Sequence, residues 1–142
     1  VRAIRTDRQG KPAARADQLT LAEEGPEPVL GRILGCIDEV LEGVPSDDVI
    51  GIGIGAPGPI DADGRLYDPP NLPEWKEFSL TERVGAHFEL STLAGNDANL
   101  AALGERRFGA GQGIDDLIYV TVSTGIGGGI VSGGRLLLGA RG

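Results

Sequence analysis

The 142 residues suffice for one sizeable core, and 13 basic against 21 acidic side chains leave a formal charge of −8, the wrong sign for a fold that grips nucleic acid through its phosphates. No apolar run approaches the roughly 20 residues of a membrane span, no signal peptide or lipidation motif is read, and the single Cys36 excludes an internal disulfide or a cysteine-rich metal site, so a reducing, cytoplasmic setting is expected. The 24 glycines, against about ten at average usage, gather at 51–58, 104–113 and 125–134 without a collagen period, which assigns them to particular backbone geometry.

Residues 1–6 read as a short strand, Asp7–Gly10 as a turn and Ala13–Leu21 as a second strand. Val29, Leu30, Ile33, Leu34, Ile37, Val40, Leu41 and Val44 recur at helical spacing, which predicts a helix over 27–43. Pro26, Pro28 and Glu27 suit its start and Gly43 its stop. Gly31 and Gly35 each cost up to ~1 kcal/mol against Ala, and their spacing is expected to let another backbone approach. Val49–Gly55 alternates Ile and Gly, the pattern of a buried strand with a close-packed glycine face. Asp63-Gly64 predicts a turn inside a small hairpin over 59–67. Three prolines make Asp68–Pro73 irregular, and Ser79-Leu-Thr-Glu82 is a capping box opening a helix to about Phe88. Leu90–Gly95 reads as a strand, 97–108 as a second long helix and Gly109–Gly113 as a flexible link. The β-branched run Leu117–Val122 predicts a central strand, and Gly133-Gly134 a hairpin joining 129–132 to 135–138. Strands alternating with helices indicate an α/β architecture. The sequence holds no Met and opens and closes within strand-like segments, so it is expected to be a piece of something longer.

Two places carry chemistry. Thr124-Gly-Ile-Gly-Gly-Gly129 follows the run 117–122, and glycines can turn backbone N–H groups toward phosphate oxygens with no side chain in the way. A tight hairpin with positive φ at several glycines fits the pattern equally. Asn96-Asp97-Ala98-Asn99 lies where a strand end meets a helix start, the place where open α/β sheets bind ligands. A carboxylate there can deprotonate an alcohol, whereas Asp97 or Asn96 can equally serve as the helix cap; one turn can do both.

Other motifs read as structure. Gly53-Ile-Gly-Ala-Pro-Gly58 matches GxGxxG, but prolines and a turn follow where a dinucleotide fingerprint must open a helix. Neither Lys11 nor Lys76 belongs to a P-loop. His87, the lone histidine, reads as a solvated helix position, Trp75 as a core anchor for the proline-rich loop, and Arg106-Arg107 as a solvated helix end. One His and one Cys cannot assemble a Ser-His-Asp, Cys-His or zinc constellation.

Four segments in order, Gly51-Ile-Gly-Ile-Gly-Ala-Pro-Gly-Pro-Ile-Asp61, Asn71-Leu-Pro-Glu-Trp75, Asn96-Asp-Ala-Asn-Leu-Ala-Ala-Leu-Gly-Glu105 and Tyr119-Val-Thr-Val-Ser-Thr-Gly-Ile-Gly-Gly-Gly-Ile130, resemble the ROK family of sugar kinases and sugar-sensing repressors, glucokinase-like members above all. The resemblance implies an actin-like ATPase (ribonuclease H-like) fold: a mixed sheet with helices as the first lobe, over 1–112, and the first strands of a second lobe over 113–142. It implies Asp97 as general base on a sugar hydroxyl, Asn96 as a sugar hydrogen-bonding group, Gly58 and Asn71 as pocket lining, and Thr124, Gly125, Gly127 and Gly128 as the cradle of ATP phosphates. ATP with Mg2+ would be the phosphoryl donor, with polyphosphate left open. The family's D-x-G-G-T loop would precede Val1. Its E-x-G-H sugar motif and its structural zinc motif would follow Gly142, so this chain holds no metal site of its own.

The expectation is an ATP-dependent hexose kinase of glycolysis, phosphorylating O6, homo-oligomeric when complete and binding neither nucleic acid nor membrane. A sugar-responsive transcription regulator of the same family is the alternative. A third reading makes the 142 residues alone an inactive sugar-binding or assembly module, with an exposed, association-prone edge after Leu117.

Overall fold

A computed structural model describes residues 1–61, 63–67, 69, 74, 75, 78–123 and 125–139. Two antiparallel strands, β1 (Arg2–Thr6) and β2 (Pro12–Asp17), open it. Asp7 shapes their turn by accepting the N–H groups of Gln9 and Lys11 at 2.9 Å each. Helix α1 (Pro26–Leu41) starts on a proline, whose missing N–H has no partner to lose there. The chain leaves it through Gly43, at φ +73°. Its buried face holds Val29, Leu30, Ile37 and Val40 of the predicted apolar stripe together with Cys36, which the stripe did not include, while Ile33, Leu34 and Leu41 are half-buried. The close approach expected at Gly31 and Gly35 is not made: nothing lies within 4 Å of a Cβ built on Gly31, and only the Gln18 amide nitrogen, at 3.7 Å, meets one on Gly35.

Strand β3 (Ile52–Ala56) pairs in parallel with β6 (Thr92–Asn96), and the crossover between them contains α2 (Leu80–Phe88). A short antiparallel ribbon, β4 (Arg65–Leu66) with β5 (Phe78–Ser79), precedes α2. The Ser79 side chain caps α2 by accepting the Glu82 N–H at 3.3 Å, as the capping box predicts. β3 is half-buried rather than enclosed. Ile52 and Ile54 pack toward Leu30, Ile37 and Val84, whereas Gly53 faces open space and Ile50, just before the strand, is exposed.

One core cluster joins Val29, Ala56, Ile60, Leu66, Trp75 and Leu80. Trp75 is 1 % exposed, with its ring centroid 4.7 Å from that of Phe78; burying Val29, Leu66 or Leu80 is worth about 1.5–3 kcal/mol each. The irregular chain expected over 68–73 lies, Pro69 apart, outside the described residues. β1 and β3 belong to separate two-stranded sheets, and a cavity of about 1310 Å³ lies between them, floored by the apolar face of α1 and reaching Gly55, Ala56 and Pro57.

The predicted hairpin around Asp63-Gly64 is present, with Gly64 at φ +75° and Ile60 bridged to Leu66. Asp61 organises it. Its Oδ1 accepts the N–H groups of Asp63 and Arg65 at 3.0 and 2.9 Å, and its Oδ2 accepts the Tyr67 hydroxyl at 2.9 Å. The Arg65 N–H first, with the Tyr67 and Asp63 bonds, holds its carboxyl below the ordinary 3.8 against the upward push of burial. A lowered folded-state pKa stabilises the fold above the unfolded value and loses that contribution as pH falls through the folded one. Wild type is therefore expected to melt above Asp61→Asn at neutral pH. The gap should close as pH drops below 3.8, measurable by thermal unfolding across pH; a pH-independent gap would reject the carboxylate's role.

Helix α3 (Asp97–Phe108) packs against a three-stranded antiparallel sheet ordered β7 (Leu117–Val122), β8 (Ile126–Ser132), β9 (Arg135–Leu136). Gly133 and Gly134, at φ +55° and +77°, close the predicted hairpin. The glycines of β8 are there for space. A Cβ on Gly129 would lie 2.8 Å from the Ala102 Cβ and 3.0 Å from both the Ala98 carbonyl oxygen and the Asn99 Cα. The helix backbone therefore rests directly on the strand. β7 is an edge strand of this sheet, not a central one. Leu117, Tyr119 and Thr121 are half-buried, while Ile118, Val120 and Val122 are exposed. The 109–113 link, expected to be flexible, carries its own hydrogen bonds. The N–H groups of Gly109 and Gly111 donate to the Glu105 carbonyl at 2.9 and 3.0 Å, and the Ala110 N–H to the Glu105 carboxylate at 3.0 Å.

Candidate functional site

β6 runs into α3 without a loop, so the junction residue Asn96 must end one element and cap the other. Its Oδ1 accepts the N–H groups of Ala98 and Asn99, both at 3.1 Å, satisfying two of the donors that a helix start leaves free. Its Nδ2 donates to the Gly58 carbonyl at 3.2 Å. Gly58, at φ +89°, follows β3, and the register pairing Ala56 with Asn96 sets the carboxyl ends of β3 and β6 side by side. Gly55 lies close under the start of α3, a Cβ on it standing 3.8 Å from the Asp97 Cα, ordinary van der Waals contact.

Asp97 occupies the first position of α3, exposed, with Oδ1 accepting the Ala98 N–H at 2.8 Å. The positive end of the helix dipole favours a carboxylate there. Asn96 caps α3 and bridges to Gly58, while Asp97, whose Oδ1 shares the Ala98 N–H, is exposed to solvent.

The β7–β8 turn reaches the same helix end. A Cβ on Gly127 would stand 3.2 Å from the Cβ of Ala98. Gly125 is exposed in the turn, its carbonyl accepting the Ser123 N–H at 2.8 Å, with nothing within 4 Å of its Cβ position. The glycine bend expected over 124–129 is shorter than its motif. Gly127 and Gly128 are strand residues paired with Thr121 and Val120, neither at positive φ. Strand alternation sends Gly127 toward α3 and Gly128 to the opposite face. Gly58, Asn96, Asp97 and Gly127 are thus brought together around one helix start. Thr124 and Asn71 lie outside the described residues.

The Asn96–Gly58 bond went unread in the sequence. Cap chemistry was visible in Asn96, but its partner lies 38 residues away, and only the parallel pairing of β3 with β6 joins them. Among the described residues no group of three or more His, Cys, Asp or Glu side chains is arranged to hold a metal ion. His87 is exposed, as expected. No helix among the described residues is long and apolar enough to cross a membrane.

Comparison with known proteins bears on this arrangement. A glucokinase from Thermotoga maritima is 40% identical over 134 residues, 94% of this chain and 41% of that protein. The xylose repressor of Bacillus subtilis is 38% identical over 94 residues, 66% of this chain and 24% of the repressor. The crystal structure of a ROK family glucokinase from Streptomyces griseus in complex with glucose and AMPPNP superposes with a TM-score of 0.86 at 36% identity, covering 96% of this chain and 42% of that one. The chain thus spans about two fifths of the length of these glucokinases. Its mixed α/β structure has the actin-like ATPase fold of ROK sugar kinases. The ROK family profile matches residues 4–142, and the chain belongs to the ROK family.

Proposed function

We propose that the protein containing this chain transfers the γ-phosphoryl group of ATP, as its Mg2+ complex, to a hexose hydroxyl, O6 of glucose being the first candidate. The observation that carries this reading is the Asp97 carboxylate. It is exposed at the first turn of α3, where the ends of β3 and β6 and the start of β8 converge. Asp97 takes the hydroxyl proton as the sugar oxygen forms its bond to the γ-phosphorus. The bond from that phosphorus to the β,γ-bridging oxygen breaks, and ADP leaves with the electron pair. Phosphoryl transfer is mainly a matter of positioning and of neutralising spreading charge. Gly58 and Asn71 line the sugar pocket, and Asn96 has an amide hydrogen for a sugar hydroxyl. Thr124, Gly125, Gly127 and Gly128 are our candidates for the ATP phosphates. Mg2+ on ATP supplies charge neutralisation when bound, and a cytoplasmic setting suits the substrates.

Repressors among the relatives support a second reading, a sugar-responsive regulator. One assay separates the two. The complete protein, given Mg-ATP and a panel of hexoses, is expected to release ADP in a sugar-dependent manner, fastest with glucose. Absence of turnover with every sugar, together with sugar-dependent retention of operator DNA, would replace the kinase reading by the regulator.

A further inference from the structure

Asn96 is bound on three sides. A side-chain amide offers an acceptor oxygen with two lone pairs and two donor hydrogens. Here the oxygen takes two N–H groups of α3 and one hydrogen goes to the Gly58 carbonyl. Gly58 stands between Pro57 and Pro59, residues with no backbone N–H, so this loop has few donors with which to fasten itself. The described backbone bond nearest by is from the Tyr67 N–H to the Pro59 carbonyl, at 3.1 Å. One half-buried side chain therefore spans the loop after β3 and the first turn of α3.

We infer that Asn96 is a positioning residue: by joining the Gly58 carbonyl to the capped start of α3, it fixes where the Asp97 carboxylate stands relative to the loop at the other wall of the sugar pocket. This rests on the reading of Asp97 as base. A sugar ligand alone would add binding. A positioning residue acts on the attack geometry, where small displacements are expensive.

Ser and Asp both cap helices well, but a carboxylate has no proton to donate and the Ser hydroxyl, one bond nearer the backbone, is too short to span to the Gly58 carbonyl that the amide reaches at 3.2 Å, so Asn96→Ser and Asn96→Asp keep one function and remove the other. In the complete protein, hydrogen exchange should leave the Ala98 and Asn99 amides as protected as in wild type for both variants. The Asp61 and Tyr67 amides, which donate to the Arg65 and Pro59 carbonyls at 3.1 Å each in the segment that follows Gly58, should exchange about tenfold faster, the scale of one lost hydrogen bond. For Asn96→Ser, kcat with the hexose should fall about tenfold, in addition to any rise in KM from the lost sugar contact. Unchanged exchange at Asp61 and Tyr67 would overturn the coupling. A raised KM with intact kcat would overturn positioning and leave Asn96 a sugar ligand. If wild type phosphorylates no sugar, the kinase reading fails by itself, and the exchange comparison alone decides whether the two segments are coupled.

Discussion

Asp97→Asn in the complete protein is expected to lower kcat for sugar phosphorylation by about 10²- to 10⁴-fold, the usual contribution of a general base. Sugar affinity should remain within a few fold. The substitution is close to isosteric and retains an oxygen that can accept the Ala98 N–H, a bond of 2.8 Å in the native turn. The Asn96 cap is untouched. Loss of rate therefore cannot be ascribed to loss of the helix start, which circular dichroism and calorimetric sugar binding would verify. An interaction made only in the transition state lowers kcat and kcat/KM together. A variant turning over at near-native speed would remove Asp97 from the mechanism.

The second large effect concerns stability. A methyl group at Gly129 would lie 2.8 Å from the Ala102 Cβ and 3.0 Å from backbone atoms of Ala98 and Asn99. Two of these three neighbours are helix backbone, which cannot swing aside as a side-chain tip does. Forced overpacking of this sort costs about 1–3 kcal/mol, so Gly129→Ala should lower the melting temperature by several degrees, at roughly 2–8 °C per kcal/mol. Gly104→Ala is the matched control. It lies in α3, the helix that Gly129 packs against, and nothing stands within 4 Å of its Cβ position. There the substitution should stabilise by about 0.5–1 kcal/mol through helix propensity alone. Equal melting temperatures for the two variants would mean that α3 does not rest on β8 as described.

Much of this arrangement was legible because local chemistry agreed with tertiary need. The stripe from Val29 to Val40 buried as its period demands, Ser79 capped α2, and Gly133-Gly134 adopted the positive φ of a two-residue hairpin. What escaped was decided at long range. An Ile-Gly alternation reads alike whether its glycine face meets a neighbour or open space, and Gly53 proved open while Gly55 lies beneath α3. Composition makes Leu117–Val122 look enclosed, yet its alternate residues remain in solvent. Glycine itself is ambiguous in sequence. In β8 it provides room for a helix rather than a left-handed bend, and no local signal separates the two. At the site, the carboxylate and its cap could be read from Asn96-Asp97, whereas the tie to Gly58 depended on strand pairing.

Where α3 meets β8, no layer of rotamers lies between helix and strand to take up a displacement. Helix and hairpin therefore act as a single lever. The start of α3, which carries Asp97, is thus held to β8 by direct contact at Gly127 and Gly129.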